Sequence, residues 1–193
     1  MSRLVRGIGR NDTGTDITEN GKHTRLYSLW QGMLARCYNK KLHEKFPTYR
    51  YCEVCENFKS RSYFEDWCKK QKGFELGWET DKDLLFKNNK LYSEATCVFL
   101  PREINGALKK CDASRGKCCI GVCFHKTKGK FQSLLRKHGK LNFLGLFSTE
   151  EEAFLAYKTA KEDYLKELAE KHKANLDPKA YQALINYTVE IGD

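Results

Sequence analysis

Between Cys119 and His172 the apolar rhythm of the chain changes once, from a period of two residues to a period near four, and few folds accommodate that switch. Cys119 to His125 alternates, Lys130 to Arg136 alternates, and Lys140 to Phe147 does so more weakly, with turns supplied by Lys128-Gly129 and His138-Gly139. Three strands joined by such short turns make an antiparallel meander. The next stretch, STEEEAFLAYKTAKEDYLKELAEKHK, offers Ser148 or Thr149 as an N-cap and places Glu150, Glu151 and Glu152 in a first turn, where the helix dipole favours negative charge. Ala153, Ala156, Tyr157, Ala160, Tyr164, Leu165 and Leu168 form its apolar stripe. Small residues on that stripe allow close approach, so one face of the meander covers the helix and the other is left for solvent or a ligand.

The first half reads differently. Residues 1–22, rich in Gly, Asp, Thr and Asn, have little to bury and are expected to be a flexible basic arm carrying Arg3, Arg6 and Arg10. From Thr24, a candidate cap, Leu26, Leu29, Trp30, Met33, Leu34 and Cys37 recur at helical steps. Tyr63, Phe64 and Trp67 follow Ser60 or Ser62 and suggest a second helix ending before Gly73, while GFELGWETDKDLLF reads as strand and turn. Cys97 to Leu100 is too short for a helix, and Pro101 stops it before a helix near Arg102 to Lys109. A last helix starts at Pro178, with Tyr181, Leu184 and Ile185 on its packing face. The expected class is α+β, with a module over 23–110, a second domain over 111–175 and a helical tail over 176–193.

Charge narrows the choice of partner. The 193 residues carry 35 Lys and Arg against 25 Asp and Glu, a net charge of +10 at pH 7. Between Cys111 and Ser148 eight basic residues (Arg115, Lys117, Lys126, Lys128, Lys130, Arg136, Lys137 and Lys140) stand against Asp112 alone, so most of the surplus lies where the meander is. Such a strip suits a polyanion, double-stranded DNA first among the candidates; its alternative is a solvated face. No apolar run is long enough for a membrane span or a leader, so the expected compartment is cytoplasmic. The nine cysteines, an odd number with Cys118 and Cys119 adjacent, fit free thiols or metal ligands better than a set of bridges.

The segment IGVCFHKTKGKFQSLLRKHGKLNFLGLFSTEEEAFLAYKTA resembles the plant ethylene-response (apetala-two) type of DNA-binding domain, a form of which occurs in phage and bacterial endonucleases. Gly121-Val122, Gly129-Lys130-Phe131, Leu135-Arg136, Leu144-Gly145 with Phe147, and Glu151 to Ala160 with its spaced alanines carry the likeness. The resemblance implies a sheet laid in the major groove, with outer-face side chains on bases and phosphates. Its DNA-contacting set here is His125, Lys126, Lys128, Lys130, Gln132, Arg136, Lys137 and Lys140. Cys123 and Leu134 share that outer face, where charged readers usually stand, and the third strand adds Leu141 and Phe143; Phe131, Ser133 and Leu135 are expected to face the helix.

Residues 27–108 resemble phage HNH-like (His-Me finger) homing endonucleases, through YSLWQGMLARCYN, Pro47, Tyr49, VCENF, Phe64 and Trp67, WETDKDLL, YSEATCVFLP and Ile104-Asn105. That likeness implies a ββα-metal finger, in degenerate form, ahead of the three-stranded antiparallel sheet packed on a long helix. In such a finger Asp81 and Asn105 hold one Mg²⁺ or Mn²⁺, which stabilises the leaving 3′ oxygen, while a histidine takes a proton from the attacking water. Lys82 stands at the histidine's position, and Thr96 where an asparagine fixes the hairpin. An exposed lysine, with an ordinary pKa of about 10.4, accepts no proton at neutral pH unless burial or a positive neighbour lowers that value. Either Asp83 assists the water in its place or the metal alone lowers the water's pKa; alternatively Asp81 and Asp83 pair with Lys82, Lys87 or Lys90 and only fix the hairpin.

Cys52-Glu53-Val54-Cys55 has the spacing of half a structural Zn²⁺ site. Cys37, Cys68, Cys97 and His43 are candidates for the other ligands, and the family pattern expects Cys37, Cys55 and Cys97; buried apolar thiols fit the same positions. Three functions therefore compete. The chain is a DNA-nicking endonuclease, an inactivated DNA-binding relative that regulates or blocks a host or rival-phage protein, or an RNA binder using the same basic sheet.

Overall fold

The computed structural model describes residues 4–109 and 116–192; Arg3, Cys111, Asp112 and Arg115 lie outside them. The fold is mixed α and β with small sheets, and it divides into two compact units, Met1–Leu100 and Pro101–Asp193.

In the first unit a short hairpin, β1 (Thr18–Glu19) and β2 (Lys22–His23), leads into α1 (Arg25–Tyr38), which Thr24 caps by accepting the Tyr27 N–H. Trp30, Met33, Leu34 and Cys37 are buried as the spacing predicts. α2 (Lys40–Lys45) and β3 (Glu53–Val54) precede α3 (Arg61–Lys70), which Ser60 caps through the Tyr63 N–H. β4 (Glu79–Asp81) pairs antiparallel with β6 (Val98–Leu100), and β5 (Leu91–Tyr92) pairs parallel with β3. Trp30, Phe58, Phe64, Trp67 and Phe99 form the core, with Trp67 stacked on Phe99 and the Trp30 indole N–H donated to Phe58 O.

The N-terminal segment is not the free arm expected of it. Arg10 N–H is bonded to Lys59 O, Arg61 N–H to Arg10 O, and Arg10 is paired with Glu56 at 2.9 Å. A Cβ added at Gly9 would meet Leu34 Cδ1 at 2.4 Å, so the backbone lies directly on α1. The physical reason is Arg61. Its buried guanidinium donates to Glu65 Oε1 (2.6 Å), Asn11 Oδ1, Thr15 O, Thr15 Oγ1 and Asp16 O, and three of these acceptor residues belong to the segment that composition alone reads as mobile. A guanidinium buried without those acceptors would be far too costly, so the segment is held in place.

The second unit begins with α4 (Arg102–Ala107), ten residues earlier than the charge shift suggests. Ala107 O accepts from the buried Lys161, and Glu103 is bonded to Lys171 and His172, so α4 is tied to α5 (Glu150–His172) of the same unit. The meander follows as β7 (Val122–His125), β8 (Lys130–Lys137) and β9 (Lys140–Phe147), antiparallel and in sequence order. Gly129 closes the first turn with φ +60°, and His138-Gly139 closes the second with positive φ at both residues, the two-residue turn a right-twisted hairpin prefers. Thr149, not Ser148, caps α5, in a capping box with Glu152. Tyr157 packs against Gly121, where an added Cβ would stand 2.0 Å from Tyr157 Cδ2. α6 (Pro178–Ile185), capped by Asp177, buries Ala180 and Leu184; Tyr181, expected on the packing face, instead donates its hydroxyl to Glu170. No helix among the described residues is long and apolar enough to cross a membrane.

Candidate functional site

Alternation along β8 sorts its side chains between two faces. Ser133 and Leu135 are buried toward α5, while Lys130, Gln132, Leu134 and Arg136 share the opposite face. Register extends that face across the sheet: His125 lies opposite Lys130, Cys123 and Leu146 flank Gln132, Leu134 faces Phe143, and Arg136 faces Leu141. A bulge at Ser133/Leu134 keeps Phe143 and Leu146 on the same side despite the odd spacing between them. Lys126, Lys128, Lys130 and Lys140 are exposed, and among the described residues none is in an ion pair; Arg136 is exposed and donates to Gly139 O at the hairpin tip.

One of the expected DNA contacts, Lys137, lies off that face. Lys137 falls on the helix side of β8, where it is bonded to Glu167 of α5 and lies over the Tyr164 ring, with His138 on the same carboxylate at 2.9 Å. Lys137, with His138 behind it, holds Glu167 below the usual carboxylate range. An odd position in a strand whose even positions face outward leaves Lys137 no other side to occupy. His125 is half-buried at the edge of the face, and Gln132 is half-buried near its centre.

The acidic loop of the first unit is a closed knot of hydrogen bonds. Lys82 is 5 % exposed. Its Nζ donates to Asp83 Oδ1 at 2.6 Å and to Asn89 O at 2.7 Å, and lies 5.7 Å from the Tyr92 ring centroid. Asn89 returns the bond, its Nδ2 donating to Lys82 O at 2.9 Å and to Leu91 O at 2.6 Å. Asp81 Oδ1 accepts the backbone N–H groups of Asp83 (2.9 Å) and Leu84 (2.7 Å). Burial pushes the Asp81 carboxyl above its ordinary range, against the pull of those two N–H groups. Thr96 Oγ1 donates to Leu91 O at 2.7 Å and accepts Ser93 N–H, so it does fix the turn beside β5. An ammonium donating to two acceptors offers water no lone pair, and Asp83, mostly exposed, is the acid it neutralises. Asn105, the expected second ligand, lies on α4 in the second unit.

Asn89 escaped sequence reading because an Asn-Asn pair between strands looks like any polar turn. Arg61 and Glu65 did leave a signal, an i, i+4 pair of opposite charge just after a serine cap, but the same spacing is common on solvated helices.

Cys52 and Cys55 are turned to separate partners. Cys52 Sγ donates to Thr48 O and Cys55 Sγ to Glu94, so the two sulfurs of the pair do not converge. Burial, with Cys52 nearby, pushes the Cys37 thiol up to about 12, and burial does the same to Cys97. Cys52 and Cys55 are also raised, chiefly by burial. Cys37, Cys52 and Cys97 are buried and Cys55 is half-buried, the setting of small apolar side chains. Among the described residues no three His, Cys, Asp or Glu side chains converge on a point that would hold a metal ion.

No family model matches the chain, and comparison with curated proteins and with solved structures likewise returns no match.

Proposed function

We propose that this chain is a duplex-DNA-binding protein that docks through the outer face of the β7–β8–β9 sheet, with the phage HNH-like ancestry its motifs suggest and a first unit that uses its acidic loop as a structural clamp. One observation carries the reading: Lys126, Lys128, Lys130, Arg136 and Lys140 are exposed around one face and both ends of a single sheet, and among the described residues none of them is paired with a carboxylate. A two-stranded ribbon fits the major groove, and each lysine placed on a phosphate releases a counterion. The Lys82–Asp83–Asn89 knot supports the clamp, since the residue at the general-base position is already engaged as a double donor.

The test is duplex affinity across a salt series for the full chain and for Lys130→Glu with Arg136→Glu. The double variant is expected to bind roughly tenfold or more weakly and with a shallower salt dependence; unchanged affinity would refute docking by this face.

A second reading, metal-dependent nicking with Mg²⁺ or Mn²⁺, rests on Asp81, whose two backbone bonds both fall on Oδ1 at the end of β4. Nicking of supercoiled DNA that requires the divalent ion and disappears in Asp81→Ala would establish it over the clamp.

A further inference from the structure

The outer face of the sheet is not uniformly cationic. Leu141 and Phe143 on β9 are each 59 % exposed, and register places them beside Arg136 and Leu134, with Leu146 continuing the row next to Gln132. Leu141, Phe143 and Leu146 thus run along β9, with Leu134 of β8 beside Phe143, on a face whose β7–β8 side carries His125, Lys130 and Arg136. Leu and Phe left in water contribute no burial to the fold, and an apolar row set among charged residues marks a surface that a partner covers. The lysines around the row select what that partner is: a polyanion that also presents apolar groups at the spacing of a strand.

We infer that this row reads pyrimidine C5-methyl groups, so that the sheet prefers A·T-containing duplex over the same duplex without those methyls. The inference rests on the duplex-docking reading above and adds a specificity to it. In the major groove the thymine methyl is the one apolar group a base pair offers, and Leu or Phe side chains make no hydrogen bond to any other base edge. Gln132 supports the same choice. It is the amide on this face, it sits between Cys123 and Leu146, and its donor and acceptor match N6 and N7 of adenine, the partner of thymine. Arg136, opposite Leu141, is the neighbouring group with a fork suited to guanine, which places the methyl-reading stretch toward the Gln132–Leu134–Phe143 centre and a G·C-reading end at the hairpin tip.

The experiment enriches duplexes from a random-sequence pool by binding to the full chain, then remakes the enriched pool with deoxyuridine in place of thymidine. That change removes only the C5 methyl. The unmodified pool is expected to bind more tightly by about fourfold for each contacted methyl, the equivalent of one buried methylene. Leu141→Ala with Phe143→Ala should abolish the difference, and Phe143→Leu should retain part of it. Both side chains are largely exposed, so their truncation leaves the sheet–helix core intact. Lys130→Glu with Arg136→Glu should weaken both pools alike. Equal binding of the two pools by the unaltered chain overturns the methyl reading while leaving duplex docking standing. No binding to either pool, or displacement by single-stranded RNA at lower concentration than by duplex, overturns docking itself.

Discussion

Lys82 and Lys130 are the same residue type, each near the end of a strand or at its start, and the two units use them in opposite ways. The first unit takes Lys82 inside, gives it Asp83 and Asn89 O, and takes Arg61 and Glu65 inside as well. The second keeps Lys126, Lys128, Lys130 and Lys140 in water and without carboxylate partners among the described residues. A charge buried with all its donors satisfied specifies one local conformation, and removing any member leaves the others unsatisfied. A charge left in water specifies nothing about the fold and is available to a polyanion. Charge that holds a structure together and charge that serves a partner are thus told apart by their acceptors, not by the residue type.

The sharpest way to break this contrast is Arg61→Ala. It strands Glu65 and releases Asn11, Thr15 and Asp16, and is expected to cost the first unit about 3–5 kcal/mol. Trp30, Trp67 and Trp78 all belong to that unit, so tryptophan fluorescence during denaturation follows it alone, while helical circular dichroism also reports α5. Loss of the second unit's signal at the same denaturant concentration would contradict separate units. Gly121→Ala asks the complementary question. Positive φ and the Tyr157 ring leave no room for a methyl, so a loss of about 1–3 kcal/mol is expected in the second unit with fluorescence unchanged.

Lys82→Met and Lys130→Met compare the two lysines directly. The first leaves Asn89 O without its donor and should destabilise by about 1–3 kcal/mol with duplex affinity retained. The second should alter stability by less than about 0.5 kcal/mol while reducing the salt slope of duplex binding by about 0.9, one phosphate contact. A slope change in Lys82→Met instead would place that lysine on DNA.

The smallest effects are those of acid. Lys171, with His172, lowers the Glu103 carboxyl from its ordinary 4.5, so its stabilisation of the second unit is present above that value and is lost as pH falls through the lowered one. Asp81 is raised from 3.8 by burial, so its ionisation weakens the first unit as pH climbs from 3.8 through the raised value. Glu103→Gln should flatten the acid side of the second unit's profile, and Asp81→Asn should flatten the opposite slope in the first; slopes of the same sign in both units would refute the assignment.

The strands, turns and cap of the second unit were legible because each rests on local chemistry. Period-two alternation, positive-φ turns at His138-Gly139 and a Thr–Glu capping box need only neighbours in sequence. The first unit resisted the same reading where its contacts are distant. Thr15 meets Arg61 across 46 positions, and Asn11 meets it across 50, so a segment with nothing to bury locally is ordered by a charge that composition cannot locate.

By itself, the amino-acid sequence determined the meander, its helix, the cationic strip and the outward positions on β8, since a strand's two-residue period assigns faces without reference to anything else. Only the tertiary structure decided that Lys82 is a buried donor, that Lys137 belongs to Glu167, that Cys52 and Cys55 are separately bonded, and that the N-terminal segment is pinned. Each of those outcomes depends on which acceptor lies within hydrogen-bond reach in space, and chain order does not fix that distance.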